Sequence, residues 1–97
     1  MKVHWTQTAE EHLDAIYAYI ALDSPEYARH MIDRLTKRSI QIAHFPLSGR
    51  KVPEYEQDKI REVIEKPYRI IYSIMPQQID VLAIVHNARA SWDEDST

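Results

Sequence analysis

The first half of the chain has apolar residues at the period of an α-helix. They recur at spacings of four, three and four: Ala9, Leu13, Ile16 and Ile20. This spacing places one apolar stripe along a helix and predicts that the stripe faces a core. The letters "TAEE" supply a start signal, with Thr8 as N-cap and Glu11 three residues later, as in a capping box.

A second helix is predicted directly after the first. Ser24 is a favourable N-cap, Pro25 suits the first helical position and Glu26 suits the first turn. The apolar stripe consists of Ala28, Met31, Leu35 and Ile42, and Ile32 widens it. Because the connection between the two helices is short, they are expected to form an antiparallel hairpin.

The remaining apolar segments are short and predict strands. They are Lys2 to Trp5, Ile60 to Ile64, Tyr68 to Met75 and Ile79 to His86, and the stretch 45–57 reads as a loop with two prolines and the only glycine. Pro76 and Gln77 are predicted to form a tight turn between the last two strands. The nearly continuous apolar run "IDVLAIVH" predicts a central strand buried on both faces.

The order of elements is therefore β-α-α-β-β-β. We predict an α+β fold in which the N-terminal strand and the antiparallel helical hairpin pack on a small, mostly antiparallel sheet. The length of 97 residues fits one domain, which we place at residues 1–92. Residues 93–97 are polar and acidic, and we expect them to form a disordered tail.

Composition removes several classes of function. The chain has no cysteine, its five histidines lack the spacing of a metal site, and one glycine cannot form a phosphate-binding loop. We therefore expect no metal and no cofactor. No segment has the length of a membrane span and the N-terminus lacks a signal-peptide apolar region, so a cytoplasmic location is expected. The net charge of -3 argues against unspecific binding to nucleic acid.

The candidate chemistry lies in the strand half of the chain. The cationic and imidazole side chains there are Arg50, Lys51, Arg61, Arg69, His86 and Arg89. With a two-residue turn at Pro76 and Gln77, Arg69 would lie opposite Ile84, and His86 would be its diagonal neighbour on the same face. One added residue would reverse that parity and separate them.

Two interpretations of Arg69 remain open at this point. A guanidinium beside an imidazole on one sheet face could bind a phosphate, a carboxylate or the acidic chain of a partner. Alternatively, Arg69 forms an ion pair with Glu62 or Glu65 on the neighbouring strand.

Five stretches, taken together and in this order, carry a family resemblance. They are Trp5 before the first helix, "AIYAYIALDSPEYA", "FPLSGRKVPE", "IREVIEKPYRIIYSI" and "IDVLAIVHNAR". The chain resembles the RelE/ParE superfamily of type II toxin-antitoxin toxins, and more closely its ParE branch. The resemblance spans Val3 to Arg89.

The resemblance implies a toxin that inhibits DNA gyrase and is neutralised by a cognate antitoxin in a hetero-oligomer. The C-terminal segment of the antitoxin would wrap the toxin as a helix in an apolar groove plus an added strand. The implied partner-binding residues are Arg50, Lys51, Arg61, Arg69 and Arg89.

The other branch of the superfamily implies an alternative, a metal-independent endonuclease that cuts mRNA on the ribosome. In that case Arg61 and Arg69 would stabilise the phosphate and His86 would move protons. The negative net charge and the lack of a tyrosine beyond Tyr72 favour the gyrase inhibitor, because such a toxin needs no RNA-cleaving residues. A degenerate member that only binds antitoxin is a third possibility.

Overall fold

The computed structural model describes residues 1–87. The elements are β1 (Lys2–Trp5), α1 (Gln7–Ala21), α2 (Pro25–His44), a 3-10 helix (Pro46–Ser48), β2 (Arg50–Lys51), β3 (Ile60–Glu65), β4 (Tyr68–Ile74) and β5 (Gln78–His86). Arg89, the end of the predicted domain and the predicted tail at 93–97 lie outside the described residues. Within 1–87, neither helix is long and apolar enough to cross a membrane.

The five strands form one mixed sheet in the order β1-β5-β4-β3-β2. β1 pairs with β5 in parallel, and the other pairs are antiparallel. β4 is the middle strand and is buried from Tyr68 to Ser73, whereas β5 keeps half-buried positions. β5 is thus an interior strand but not the middle one, because it lies second in the sheet, next to the edge strand β1. β1 ends at Trp5 and pairs only with the first part of β5.

The sheet separates two apolar clusters. On one face the helices pack against residues that include Ile70, Tyr72 and Val81, with Ala9, Met31 and Leu35 from the helices. No helix of residues 1–87 packs on the opposite face. Its smaller cluster consists of Val52, Ile60, Ile71 and Ala83, against which Tyr55 packs. We call this opposite side the helix-free face.

The predicted N-cap of α2 is confirmed, and the predicted N-cap of α1 is corrected. Ser24 caps α2 by accepting a hydrogen bond from Tyr27 N, as predicted. The cap of α1 is Thr6 rather than Thr8, because the helix already begins at Gln7. Thr6 Oγ1 accepts from Ala9 N at 3.1 Å and donates to Val81 O at 2.8 Å. The cap therefore fastens α1 to β5 as well as closing the helix end.

A bulge changes the register between β4 and β5. The tight turn forms as predicted, since Met75 N donates to Gln78 O and Ile74 lies opposite Ile79. However, Tyr72 pairs with Val81 and Ile71 pairs with Ala83, so Leu82 is an extra residue on β5. From there on every partner moves by one.

Candidate functional site

Arg69 lies on the helix-free face. Its neighbours in β4, Tyr68 and Ile70, belong to the cluster under the helices, so the intervening side chain points the other way. Arg69 is only 3% exposed, and its Nη1 donates to Glu62 Oε1 at 2.6 Å. The ion pair with Glu62, one of the two predicted interpretations, is therefore confirmed.

The same carboxylate is shared with a second arginine. Arg50 Nε on β2 donates to Glu62 Oε2 at 2.6 Å, and the Glu62 side chain has no exposed surface. Two guanidinium groups thus surround one buried carboxylate, which leaves this cluster one positive charge in excess. We call it the Arg50–Glu62–Arg69 triad. Since Glu62 belongs to β3, the triad connects β2, β3 and β4 across the sheet.

Arg61 and Lys51 fasten the loop beside β2. Arg61 Nη1 donates to Gly49 O at 3.0 Å, and its Nε donates to Asp58 O at 3.1 Å. Lys51 Nζ lies 3.0 Å from Asp58 Oδ1, with both side chains largely exposed. These two predicted site residues lie close to the triad but are engaged with their own loop.

His86 lies on the other side of the sheet. It pairs with Tyr68, and the two rings meet edge to face with centroids 5.7 Å apart. Arg69 instead lies opposite Val85. The prediction that Arg69 and His86 share a face is therefore wrong, because Leu82 adds the one residue that reverses the parity. Burial, followed by the neighbouring Tyr27 and Tyr19, raises the pKa of Tyr68.

Tyr72 forms a buried junction that the sequence reading missed. Its hydroxyl donates to Pro46 O at 2.6 Å and accepts from Gly49 N at 3.0 Å. Burial raises the pKa of Tyr72, and the hydrogen bond from Gly49 opposes that shift. The signal available in the sequence was Gly49 itself, the only glycine in the chain. A Cβ there would lie 2.7 Å from Glu62 O.

His12 was also missed as a structural residue. Its Nδ1 accepts a hydrogen bond from Ile84 N at 3.1 Å, on the part of β5 that β1 does not reach. Burial lowers the pKa of His12, although nearby Glu11 acts in the opposite direction. Within residues 1–87, no group of three or more potential ligands could hold a metal ion.

The comparisons with known proteins agree with this architecture. The family model described as "ParE toxin of type II toxin-antitoxin system, parDE" matches residues 3–91. A Sinorhizobium fredii protein named as a toxin, Y4kP, is 29% identical over 93 residues, which cover 96% of this chain and 94% of that protein. A solved chain titled "Chromosomal ParDE TA system from P. aeruginosa" superposes with a TM-score of 0.72 at 26% identity. The match covers 89% of this chain and 95% of the other, and it confirms the predicted fold.

Proposed function

The chain belongs to the family of ParE toxins of type II toxin-antitoxin systems, and from this premise we propose that it arrests growth by inhibiting DNA gyrase and is neutralised by a cognate antitoxin. DNA gyrase and the antitoxin act in the cytoplasm, and we therefore place the protein there. The toxin and its antitoxin would form a hetero-oligomer.

One observation carries the choice of gyrase over mRNA as the target. Metal-independent RNA cleavage needs cationic groups and a proton-transfer group at the same phosphate. Arg69 and His86 point to opposite faces of the sheet, and Arg69 is buried in an ion pair with Glu62. The two groups therefore do not reach a common phosphate. A toxin that acts only by binding its target does not need Arg69 and His86 to meet at one phosphate.

The surface of this chain that suits an antitoxin lies at the C-terminal end of α2. No aspartate or glutamate occurs from residue 34 to residue 53, a stretch that carries Arg34, Lys37, Arg38, Arg50 and Lys51. The same stretch exposes three large apolar side chains, Ile40, Phe45 and Leu47. We call this surface, residues 34–53, the basic–apolar end. Each of these cations is already paired with an acid from outside the stretch, namely Glu65, Asp33, Glu62 or Asp58. An acidic amphipathic segment would bury the apolar side chains and compete with these acids for the exposed cations.

Expression of the chain in growing cells, with DNA and RNA analysed together, tests the target. We expect filamentation, an SOS response and intact mRNA, and purified gyrase should lose supercoiling activity when the toxin is added. Codon-phased mRNA cuts without an SOS response would indicate that the toxin acts on the ribosome instead of gyrase. Purified gyrase that keeps full supercoiling activity at excess toxin would contradict gyrase as the target.

A further inference from the structure

The guanidinium of Arg69 uses only part of its hydrogen-bonding capacity. Nη1 donates to Glu62, but Nε and Nη2 are buried and have no acceptor in the part of the chain that the structure describes, residues 1–87. Buried polar groups in proteins are nearly always hydrogen-bonded, and a charged donor without a partner is costly. An unpaired, almost fully buried arginine edge therefore indicates a missing acceptor.

The local charge favours an anionic acceptor. The triad holds two guanidinium groups and one carboxylate, and the Glu62 side chain is fully buried. The Arg50 side chain is 65% exposed, so its excess charge lies at the solvent boundary of the triad. An anion at the unpaired edge of Arg69 would satisfy the donors and also offset this charge, whereas a neutral carbonyl would only satisfy a donor.

The shape of the unpaired edge of Arg69 and the acids near it indicate which anion fits. The N–H groups on Nε and Nη2 of a planar guanidinium point in the same direction and form a fork that matches the two oxygens of a carboxylate or phosphate. A phosphodiester chain needs a row of cations, whereas the loop beside the triad adds Glu54, Glu56 and Asp58. These acids would repel a polyanion more strongly than a single carboxylate.

We propose that the Nε–Nη2 edge of Arg69 is a receptor for one carboxylate, supplied by an acidic side chain of the antitoxin. This inference rests on the proposed function, since it names the anchor through which that antitoxin is held. Ile64 lies opposite Arg69 in the sheet and is 42% exposed, so the helix-free face borders solvent at this point. Both nitrogens are shielded in the isolated chain, so docking of the antitoxin requires side chains of the helix-free face to move.

The test compares Arg69→Lys with Arg29→Lys. Both substitutions keep the positive charge, but only Arg69→Lys removes the Nε–Nη2 edge of Arg69, since Arg29 is an exposed residue of α2 outside the basic–apolar end. Affinity is measured for the antitoxin that co-purifies with the chain, and thermal unfolding checks that each variant is folded. We expect Arg69→Lys to weaken binding about ten- to a hundredfold, as for a lost pair of charge-assisted hydrogen bonds, and Arg29→Lys to change it less than about threefold.

A second measurement uses the unaltered protein. The Nε–H resonance of Arg69 is followed by NMR during separate additions of antitoxin, sodium acetate and an RNA oligonucleotide. The antitoxin should shift it, whereas acetate and RNA should leave it unchanged, because both nitrogens are shielded in the isolated chain. An unchanged resonance in the antitoxin complex, a shift caused by RNA or by acetate, or equal affinities of the two lysine variants would overturn the inference. If the unaltered chain binds no antitoxin, the proposed function fails first.

Discussion

Glu62 is the buried carboxylate that compensates the charge of the buried Arg69. Its carboxylate has no contact with solvent and accepts hydrogen bonds from Arg50 and Arg69, which is itself buried. A buried ion pair adds little over a well-packed apolar replacement, because both charges lose their hydration. Loss of one partner is different, since it leaves the other charge buried and unpaired. The triad is therefore sensitive to single substitutions.

Replacement of Glu62 by alanine should destabilise the protein strongly. Arg69 would keep its charge inside the sheet without a partner, and removal of one member of a buried pair costs about 3–5 kcal/mol. Urea denaturation measures the free energy of unfolding. The control is Asp58→Ala, which breaks the exposed pair with Lys51 and should cost less than about 1 kcal/mol. Equal losses in the two variants would contradict the role assigned to the triad.

Gly49 is required for space. Its φ of -79° suits any residue, but a Cβ would meet the Tyr72 hydroxyl and would lie 2.7 Å from Glu62 O. We expect Gly49→Ala to lower the free energy of unfolding by about 1–3 kcal/mol, as overpacking does. The same substitution in a Tyr72→Phe background should cost less, because the nearest atom is gone. A cost that is unchanged in that background would show that the backbone of β3 sets the limit.

At the scale of elements, α1 takes the place of a longer β1. β1 covers β5 only from Gln78 to Val81. At its end, Val81 O accepts from both the backbone N and the hydroxyl of Thr6, the N-cap of α1. Further along β5, the His12 side chain of α1 accepts from Ile84 N and so satisfies a backbone group beyond the end of β1. The position of α1 on the sheet is fixed by these hydrogen bonds as well as by apolar packing.

The His12 contact predicts a pH dependence. Burial holds the pKa of His12 below the value of about 6.5 in an unfolded chain. Between these two pKa values the unfolded chain binds more protons than the folded one, so stability is present above about pH 6.5 and falls as the pH falls. Protonation also removes the acceptor for Ile84 N. Unfolding is measured from about pH 7.5 to about pH 5.5.

The matched variant for that measurement is His12→Asn. Asparagine offers an acceptor oxygen near the position of Nδ1 but does not titrate. The other histidines are common to both proteins, so the difference between the two curves reports His12. We expect the unaltered protein to lose more stability than the variant as the pH falls. Parallel curves would exclude His12 as the source.

The elements were predictable where one local signal dominated. The stripe on α2 and the Ser24–Pro25 start combine helix period and cap chemistry, and they were predicted correctly. The bulge at Leu82 was not predictable, because a continuous apolar run has no alternation from which register can be read. Strand β2 has only two residues and was hidden in the loop. The Glu62–Arg69 pair was one of two interpretations, and only the observed register decides between them.

At the scale of the whole molecule, two exposed apolar surfaces lie at opposite ends of α2. Leu22, beside the hairpin turn, is 83% exposed, and Leu47, in the 3-10 helix, is 71% exposed. The 20 residues of α2 separate them by about 30 Å. Their surroundings differ in charge. Asp23 and Glu26 flank Leu22, whereas the stretch 34–53 around Leu47 contributes five lysines and arginines and no acid, and the acids near it are paired with those cations. An acidic antitoxin segment is therefore expected to distinguish between the two leucines.

Leu47→Ser should weaken antitoxin binding, and Leu22→Ser should not. A leucine buried in a complex contributes about 1.5–3 kcal/mol, so we expect roughly a tenfold to hundredfold loss of affinity for Leu47→Ser. Both side chains are exposed in the isolated chain, so neither substitution should change its stability by more than about 0.5 kcal/mol. Isothermal titration with the co-purifying antitoxin measures the difference. A loss at Leu22 with none at Leu47 would place the antitoxin at the hairpin turn, where acidic side chains would favour a basic segment instead.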